Sequence, residues 1–192
     1  HSGNYDIAFL RCIPNIILMS PSDENETRAL LCSAFHYLGP AAVRYPRGSG
    51  PNAKVNLDLN PIEIGKANLI KKGDPKVVFL NFGALLHEAK LVADELNLTL
   101  IDMRFIKPLD EEILRTYLKS ADLFISLEDG SIAGGAGSAV QEFCSKENIY
   151  IKSKLFGIPD NFVEHASREE MIEECGLTSR QILAELENMM ER

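Results

Sequence analysis

The stretch Ala41-Ala42-Val43-Arg44-Tyr45-Pro46-Arg47-Gly48 leads an apolar, strand-like run directly into two arginines, a proline and a glycine. In an open α/β sheet, ligands bind in the crevice beyond the carboxyl ends of the strands, where a guanidinium is well placed to hold an anion. A phosphorylated substrate is the first hypothesis. Because Arg44 and Arg47 are an odd number of residues apart, they cannot both enter one pocket unless Pro46 has already ended the strand. One arginine is therefore predicted to be structural, and the alternative is a pair that makes surface ion pairs only.

The residues before this stretch predict a β-α-β unit. The apolar run from Asn15 to Met19 is typical of a buried strand, and Gly39-Pro40 ends the helix that follows it. The helix is expected to begin at Ser22 or Asp23, with Glu26 completing a capping box. Its predicted packed face consists of Leu30, Leu31, Ala34, Phe35 and Leu38. A right-handed crossover would make the two strands parallel, so that both strand ends face one crevice.

A second series of elements begins near residue 72. The predicted strands cover residues 77–82, 99–103, 123–127 and 149–155, and the predicted helices cover 85–96, 110–118, 136–144, 168–174 and 179–190. This alternation indicates an α/β fold with a doubly wound, mostly parallel sheet. Residues 48–62 are rich in Gly, Pro and Asn, which is typical of a connection between domains. We therefore expect domains over residues 1–50 and 72–192, joined by a linker over 51–71.

Composition excludes two classes of protein. The formal net charge of -8 argues against a general affinity for nucleic acid. Residues 1–66 hold six Lys/Arg and six Asp/Glu, so the excess negative charge follows Lys66 and an anion site is expected in the first third. No apolar run approaches the roughly 20 residues of a membrane span, and we expect no membrane association. The N-terminus has neither a signal peptide nor an initiator methionine, which suggests a fragment.

Cysteines and histidines offer no metal pattern. Four widely spaced cysteines are predicted to be buried free thiols of a reducing compartment: Cys12, Cys32, Cys144 and Cys175. His36, His87 and His165 are predicted to be surface or boundary residues. No Gly-x-Ser-x-Gly elbow is present, so a hydrolase lacks its nucleophile.

The glycine-rich turn from Gly130 to Ser138 lies between a predicted strand and a predicted helix, where backbone amides can hold phosphate. It does not match the dinucleotide-binding fingerprint, because Val140 stands where the third glycine belongs. Glu128 and Asp129 precede the turn and would repel an anion. We favour a structural role, in which small residues let the helix pack closely on the sheet or on another subunit.

Motifs spread in order over nearly the whole chain resemble one family. They are His1-Ser-Gly-Asn-Tyr-Asp6, Leu10-Arg-Cys-Ile-Pro14, Pro21-Ser-Asp-Glu-Asn25, Val43-Arg-Tyr-Pro-Arg-Gly48, Asp102-Met-Arg-Phe-Ile-Lys-Pro-Leu-Asp110 and Gly134-Gly-Ala-Gly-Ser138. Together they resemble the 1-deoxy-D-xylulose 5-phosphate synthases, which are transketolase-like, thiamine-diphosphate enzymes. The resemblance implies that residues 1–50 end a pyrimidine-binding domain and that residues 72–192 form a transketolase C-terminal-like domain.

The resemblance also implies an activity. This family condenses pyruvate with glyceraldehyde 3-phosphate, with loss of carbon dioxide, for isoprenoid, thiamine and pyridoxal precursor synthesis. His1 matches the histidine that lies over the reacting carbon, and Arg47 matches the arginine that holds the phosphate of glyceraldehyde 3-phosphate. Arg44 is then structural and paired with a carboxylate. Thiamine diphosphate and Mg2+ would be bound mainly by upstream parts absent from this chain, so the 192 residues alone are expected to be inactive.

The implied assembly is a homodimer, cytoplasmic in a bacterium or in a plastid of a eukaryote. Two alternatives stay open. One is another transketolase-like enzyme, either a transketolase or the β subunit of a 2-oxo acid dehydrogenase. The other is a non-catalytic subunit-contact module, which the acidic, motif-poor C-terminal half favours.

Overall fold

Two β-sheets with flanking helices make up the computed structural model, which describes residues 3–190 and the side chains up to residue 189. The helices are α1 (Asp6–Leu10), α2 (Glu24–His36), α3 (Leu86–Glu95), α4 (Glu111–Leu118), α5 (Ala136–Lys146), α6 (Arg168–Glu174) and α7 (Ser179–Met190). The strands are β1 (Ile17–Met19), β2 (Ala41–Val43), β3 (Asn68–Lys71), β4 (Asp74–Phe82), β5 (Leu98–Asp102), β6 (Phe105–Lys107), β7 (Leu123–Ser131) and β8 (Lys152–Ile158).

The first sheet has the strand order β2-β1-β6. β1 and β2 are parallel, with Ile17 opposite Ala41 and Met19 opposite Val43, as the β-α-β pattern predicts. β6 is antiparallel to β1 and follows β5 of the other sheet in the chain. The later half of the chain therefore supplies one strand of the first sheet, and the two sheets are linked through the backbone.

The second sheet has the order β3-β5-β4-β7-β8. Its four central and C-terminal strands are parallel, and β3 pairs with β5 in the antiparallel direction at the edge. Side chains alternate along β4: Val78 and Leu80 pack with α4 and α5 on one face, while Phe79 packs with α3 and α7 on the other. The doubly wound, mostly parallel sheet is confirmed.

Three short elements were not predicted. β3 lies inside the segment expected to be a linker, so the irregular part of that segment ends before residue 68. β6 and α1 have only 3 and 5 residues, too few to show a hydrophobic period. Each is stabilised by a partner distant in sequence, which local patterns do not reveal.

The predicted packing of α2 is only partly correct. Asp23 caps the helix by accepting a hydrogen bond from the Glu26 amide at 2.8 Å, but the Glu26 side chain pairs with Arg104 and forms no capping box. Leu30 is buried against the first sheet, whereas Phe35 is 87% exposed and Leu38 is fully exposed. The predicted face is wider than the packed one for two reasons: Leu38 lies beyond the end of α2, and the three-stranded sheet leaves Phe35 uncovered.

Candidate active site

The carboxyl ends of β1 and β2 lie at one edge of the first sheet because the two strands are parallel. Ser20 follows β1 there, and Arg44 follows β2. Gly83, directly after β4, lies against this edge: a Cβ on Gly83 would stand 2.1 Å from Ser20 Oγ. The strand ends of the two sheets therefore meet, and residues that follow them are brought together.

Arg44 is held by two carboxylates. Its Nε donates a hydrogen bond to Asp6 Oδ2 at 2.8 Å, and its Nη1 donates to Asp129 Oδ1. The side chain is only 12% exposed. Burial by itself lowers the pKa of Arg44, but the charges of Asp129 and Asp6 more than offset this and raise the pKa above its usual range. The expectation that Arg44 is structural and carboxylate-paired is confirmed.

Arg47 has a different environment from Arg44. It lies three residues further on, beyond Pro46, in an irregular segment, and it is exposed. Within residues 3–190, no ion pair or side-chain hydrogen bond engages its guanidinium. Of the two arginines at this edge, Arg47 is the one that the described residues leave without a carboxylate partner.

His1, the predicted catalytic residue, lies outside the described residues. The segment that follows it is described from Gly3 onward and leads into α1. Asn4 O accepts a hydrogen bond from Ser131 N at 3.0 Å, and Ile7 of α1 is completely buried. The chain following His1 is therefore seated on the end of β7.

The glycine-rich turn holds a carboxylate from the protein itself. Glu128, near the end of β7, accepts hydrogen bonds from Ala136 N at 2.8 Å and Gly137 N at 2.9 Å, the first amides of α5. A Cβ on Gly135 would stand 2.5 Å from Glu128 Oε2 and 2.2 Å from Ser131 O. The absence of a side chain at Gly135 thus makes room for this internal carboxylate, in agreement with a structural role of the turn.

Burial raises the pKa of Glu128 to about 7, although the two amides and the Arg44 charge act in the opposite direction. Glu128 is only 1% exposed. Asp102, at the end of β5 and also 1% exposed, has its pKa raised to about 7 by burial. Asn81 Nδ2 donates to Asp102 Oδ1 at 3.1 Å. Two buried carboxylates with raised pKa values thus lie where the strand ends meet.

Four acidic residues of this region were missed by the sequence reasoning about the site. They are Asp6, Asp102, Glu128 and Asp129. In the sequence, Glu128 and Asp129 indicate only that an anion would be repelled. Acidic residues directly before a glycine-rich turn are also a signal that the turn already has an internal occupant, and this signal was available in the sequence. The partner of Asp6 lies 38 residues away in the chain, and nothing in the local pattern indicates it.

The cysteine prediction needs a correction. Cys144 is buried, but Cys12 is exposed and Cys32 and Cys175 are intermediate. The correction follows from position: Cys12 lies in the turn after α1, and Cys32 lies on the poorly covered side of α2. All four are free thiols. The three histidines predicted to lie at the surface are all exposed: His36, His87 and His165.

The described part of the chain contains neither a metal-binding cluster nor a membrane-spanning helix. Between residues 3 and 190, no group of three or more His, Cys, Asp or Glu side chains is arranged to hold a metal ion. Over the same range, no helix combines the length and the apolar character that crossing a bilayer requires.

The two linked sheets define the class of the protein as an α/β protein with mostly parallel strands. A family model described as the transketolase C-terminal domain matches residues 65–182, and one described as the transketolase pyrimidine binding domain matches residues 1–52. The chain belongs to the transketolase family.

Among individual proteins, the chain is similar to synthases of one name. The chain is 52% identical over 177 residues to a 1-deoxy-D-xylulose-5-phosphate synthase of Stutzerimonas stutzeri, covering 92% of this chain and 28% of that protein. It is 50% identical over 192 residues to the enzyme of the same name from Pseudomonas fluorescens, covering 100% of this chain and 30% of that protein. The resemblance found in the motifs is confirmed, and the chain spans less than a third of the length of these relatives.

Solved structures agree with the fold. A split-gene transketolase, described as an inactive β4 tetramer, superposes with a TM-score of 0.84 at 29% identity, covering 95% of this chain and 60% of that chain. The transketolase of Campylobacter jejuni superposes with a TM-score of 0.67 at 17% identity, covering 96% of this chain and 28% of that one. The second likeness concerns the fold alone.

Proposed function

We propose that this chain is part of a 1-deoxy-D-xylulose 5-phosphate synthase, a thiamine-diphosphate-dependent transferase that condenses pyruvate with glyceraldehyde 3-phosphate and releases carbon dioxide. The identity of about half of all residues with synthases of that name supports the assignment. The product would feed isoprenoid, thiamine and pyridoxal precursor synthesis. Transketolase and 2-oxo acid dehydrogenase activities are the alternatives within the same class of enzyme.

Arg47 is the proposed phosphate-binding residue. The observation that carries this role is the contrast at the strand edge: Asp6 and Asp129 occupy the donors of Arg44, and Arg47 is exposed beyond the end of β2. A planar guanidinium matches phosphate oxygens with two parallel hydrogen bonds. Binding energy from the phosphate would fix the aldehyde end of the substrate where it reacts.

His1 is the proposed catalytic residue. An imidazole has an ordinary pKa near neutrality and can give a proton to the oxygen of the aldehyde as negative charge develops there. The chain that follows His1 is anchored at Asn4 and Ile7 to the end of β7, close to the carboxyl ends of the strands.

Thiamine diphosphate and Mg2+ are the proposed cofactors, and bound thiamine diphosphate supplies the carbanion chemistry of such enzymes. The described residues do not themselves fit a diphosphate. The one cradle of helix-terminal amides with a glycine-rich approach between residues 3 and 190 is filled by the Glu128 carboxylate. We therefore propose that the cofactor is held mainly by residues beyond this chain, and that residues 1–50, 51–71 and 72–192 act as pyrimidine-binding end, linker and C-terminal domain.

A homodimer in the cytoplasm is the proposed state of the whole protein. For the 192 residues taken alone, we propose an inactive module that makes subunit contacts. A structural neighbour of comparable architecture is described as an inactive tetramer, which favours this second candidate for the isolated chain.

The test uses the intact protein supplied with thiamine diphosphate, Mg2+ and pyruvate. Replacing Arg47 by alanine removes the charged donors, so the KM for glyceraldehyde 3-phosphate should rise by about 10- to 100-fold, while the KM for pyruvate changes little. Unphosphorylated glyceraldehyde should show no such effect, because it lacks the group that Arg47 binds. Steady-state kinetics with each substrate varied in turn provides the measurement.

Lys54→Ala is the matched control, because it removes one positive charge from the same exposed segment. Its kinetic constants should equal those of the unaltered enzyme. An unchanged KM for glyceraldehyde 3-phosphate in Arg47→Ala contradicts the assigned role. Failure of the unaltered enzyme to join the two substrates contradicts the proposed function itself.

A further inference from the structure

Helix α1 packs against the glycine-rich turn. A Cβ on Gly134 would stand 3.4 Å from the Cβ of Ala8, and a Cβ on Gly130 would stand 3.0 Å from Ile7 Cδ1. Arg11, which follows α1, donates to Gly134 O at 3.4 Å. The first described helix of the chain thus rests directly on the end of β7 and the turn after it.

Arg44 links α1 and the end of β7 to β2, the strand that leads to Arg47. Its guanidinium contacts Asp6, the first residue of α1, and Asp129, the residue of β7 that follows Glu128. Its backbone amide donates to Met19 O at 2.9 Å, which continues the pairing of β2 with β1. One side chain therefore connects three segments: the one that begins at His1, the one that carries Arg47, and the end of β7.

Burial strengthens the contacts that Arg44 makes with Asp6 and Asp129 and fixes the orientation of its side chain. Arg44 and its two carboxylate partners are all well covered, with side-chain exposures of 12% for Arg44, 22% for Asp6 and 19% for Asp129. Charged hydrogen bonds in such a partly buried site are stronger than surface ion pairs and fix side-chain orientation. Only Pro46 and Tyr45 separate Arg44 from Arg47, so a change in the direction of Arg44 is passed along a short, proline-restricted segment.

We propose that Asp129, acting through Arg44, is a positioning residue for the reaction, which sets the segment after His1 and the segment carrying Arg47 in their productive relation. This inference rests on the proposed function. It gives the C-terminal domain a task in the reaction: its strand β7 supplies the fixed point to which both substrate-handling segments are tied.

The experiment compares Asp129→Asn with the unaltered intact enzyme. Asparagine keeps the size of the side chain and an acceptor oxygen but removes the negative charge. Arg44 therefore retains the carboxylate of Asp6, and its contact with β7 is reduced to uncharged hydrogen bonds. Misplacement of the reacting groups should lower kcat/KM for glyceraldehyde 3-phosphate by about 10-fold or more, with the KM for pyruvate within about 2-fold of normal. Asp129→Glu, which restores the charge, should recover part of the loss.

A second measurement does not depend on activity. Hydrogen exchange followed by mass spectrometry should show faster exchange of the backbone amides in residues 4–11 and 129–135 of Asp129→Asn, because the contacts of α1 with β7 are weakened. Glu147→Gln is the matched control, since Glu147 pairs with Arg115 at 2.8 Å within the C-terminal domain and far along the chain from α1 and β2. It should change neither the kinetic constants nor exchange in residues 4–11.

The outcomes separate the two proposals. Suppose that the unaltered enzyme is active and that Asp129→Asn keeps a normal kcat/KM for glyceraldehyde 3-phosphate, even with a lower melting temperature. This result overturns the positioning role and leaves the proposed function standing. Lack of the condensation in the unaltered enzyme overturns the proposed function. If Asp129→Asn does not accumulate as folded protein, Asp6→Asn removes the other carboxylate of Arg44, and the same kinetic result is expected from it.

Discussion

At the scale of single residues, two buried carboxyl groups near strand ends have raised pKa values. Asp102 is the last residue of β5 and Glu128 lies near the end of β7, on the two strands that flank β4, and both are 1% exposed. Each is met by donors, an asparagine amide for Asp102 and two helix amides for Glu128. Burial nevertheless dominates and raises both pKa values to about 7. These side chains hold protons more tightly in the folded chain than in the unfolded one.

The raised pKa values determine the direction in which the free energy of unfolding changes with pH. Between the ordinary pKa of 3.8 and the raised pKa of about 7, the folded protein binds more protons at Asp102 than the unfolded chain does. The free energy of unfolding should therefore fall as the pH rises through this window, by up to about 4 kcal/mol from Asp102. Asp102→Asn, which cannot ionise, should flatten the decline. Urea unfolding at several pH values from 4 to 8 measures it.

Asp160→Asn is the control for this prediction, because Asp160 is exposed. It should leave the slope of stability against pH unaltered. Glu128 contributes in the same direction, so some slope should persist in Asp102→Asn. An identical slope in Asp102→Asn and the unaltered protein would show that Asp102 titrates as an ordinary surface carboxyl.

At the scale of elements, the junction between β7 and α5 is tightly packed. Glu128 satisfies the first amides of α5 from inside the protein, and Gly135 lies directly over its carboxylate. Gly137 is equally restricted, because a Cβ there would stand 2.3 Å from Ser126 Oγ. The helix consequently approaches the sheet more closely than any residue with a side chain at these positions permits.

Gly135→Ala should be destabilising for steric reasons alone, since Gly135 has an ordinary negative φ of -74°. The new methyl group would clash with both the Glu128 carboxylate and the Ser131 carbonyl, and we expect a loss of about 3 kcal/mol. Chemical denaturation gives this value, and hydrogen exchange at the Ala136 and Gly137 amides reports the loss of the Glu128 contacts.

Gly176→Ala provides the comparison for this element. Gly176 has a positive φ of 73° but open space around its Cβ, so alanine there should cost only the strain of the left-handed backbone, about 1 kcal/mol. If Gly135→Ala proves no more costly than Gly176→Ala, the close approach of α5 to Glu128 is not what restricts position 135.

At the scale of the whole molecule, the two sheets are interlocked. β6 follows β5 of the second sheet in the chain and pairs with β1 of the first sheet. Arg104, just before β6, binds Glu26 of α2 through Nε at 2.8 Å and Nη2 at 2.6 Å. Lys107 of β6 also donates to Ile13 O at 2.6 Å. The first sheet cannot separate from the second without breaking both strand pairing and these charged contacts.

Arg104→Met should therefore weaken the whole molecule. Both side chains of the pair are less than a fifth exposed, and Glu26 would lose its charged partner, at a cost of about 2 kcal/mol. We expect a single cooperative unfolding transition shifted to lower denaturant, followed by circular dichroism. In the double variant Glu26→Gln/Arg104→Met the loss should be smaller than the sum of the single losses. Strictly additive losses would mean that the pair does not couple the sheets.

The sequence by itself determined the doubly wound sheet, the β-α-β unit and the family, because hydrophobic period, turn residues and contiguous motifs are all local. It also placed two arginines at one strand end. Only the tertiary structure decided that Arg44 is held by Asp6 and Asp129 and that Glu128 fills the glycine-rich turn. Those partners lie on different elements, and they meet only where the strands of both sheets end. The same physics explains β6 and the narrow packed face of α2, since pairing and coverage depend on which distant surfaces come into contact.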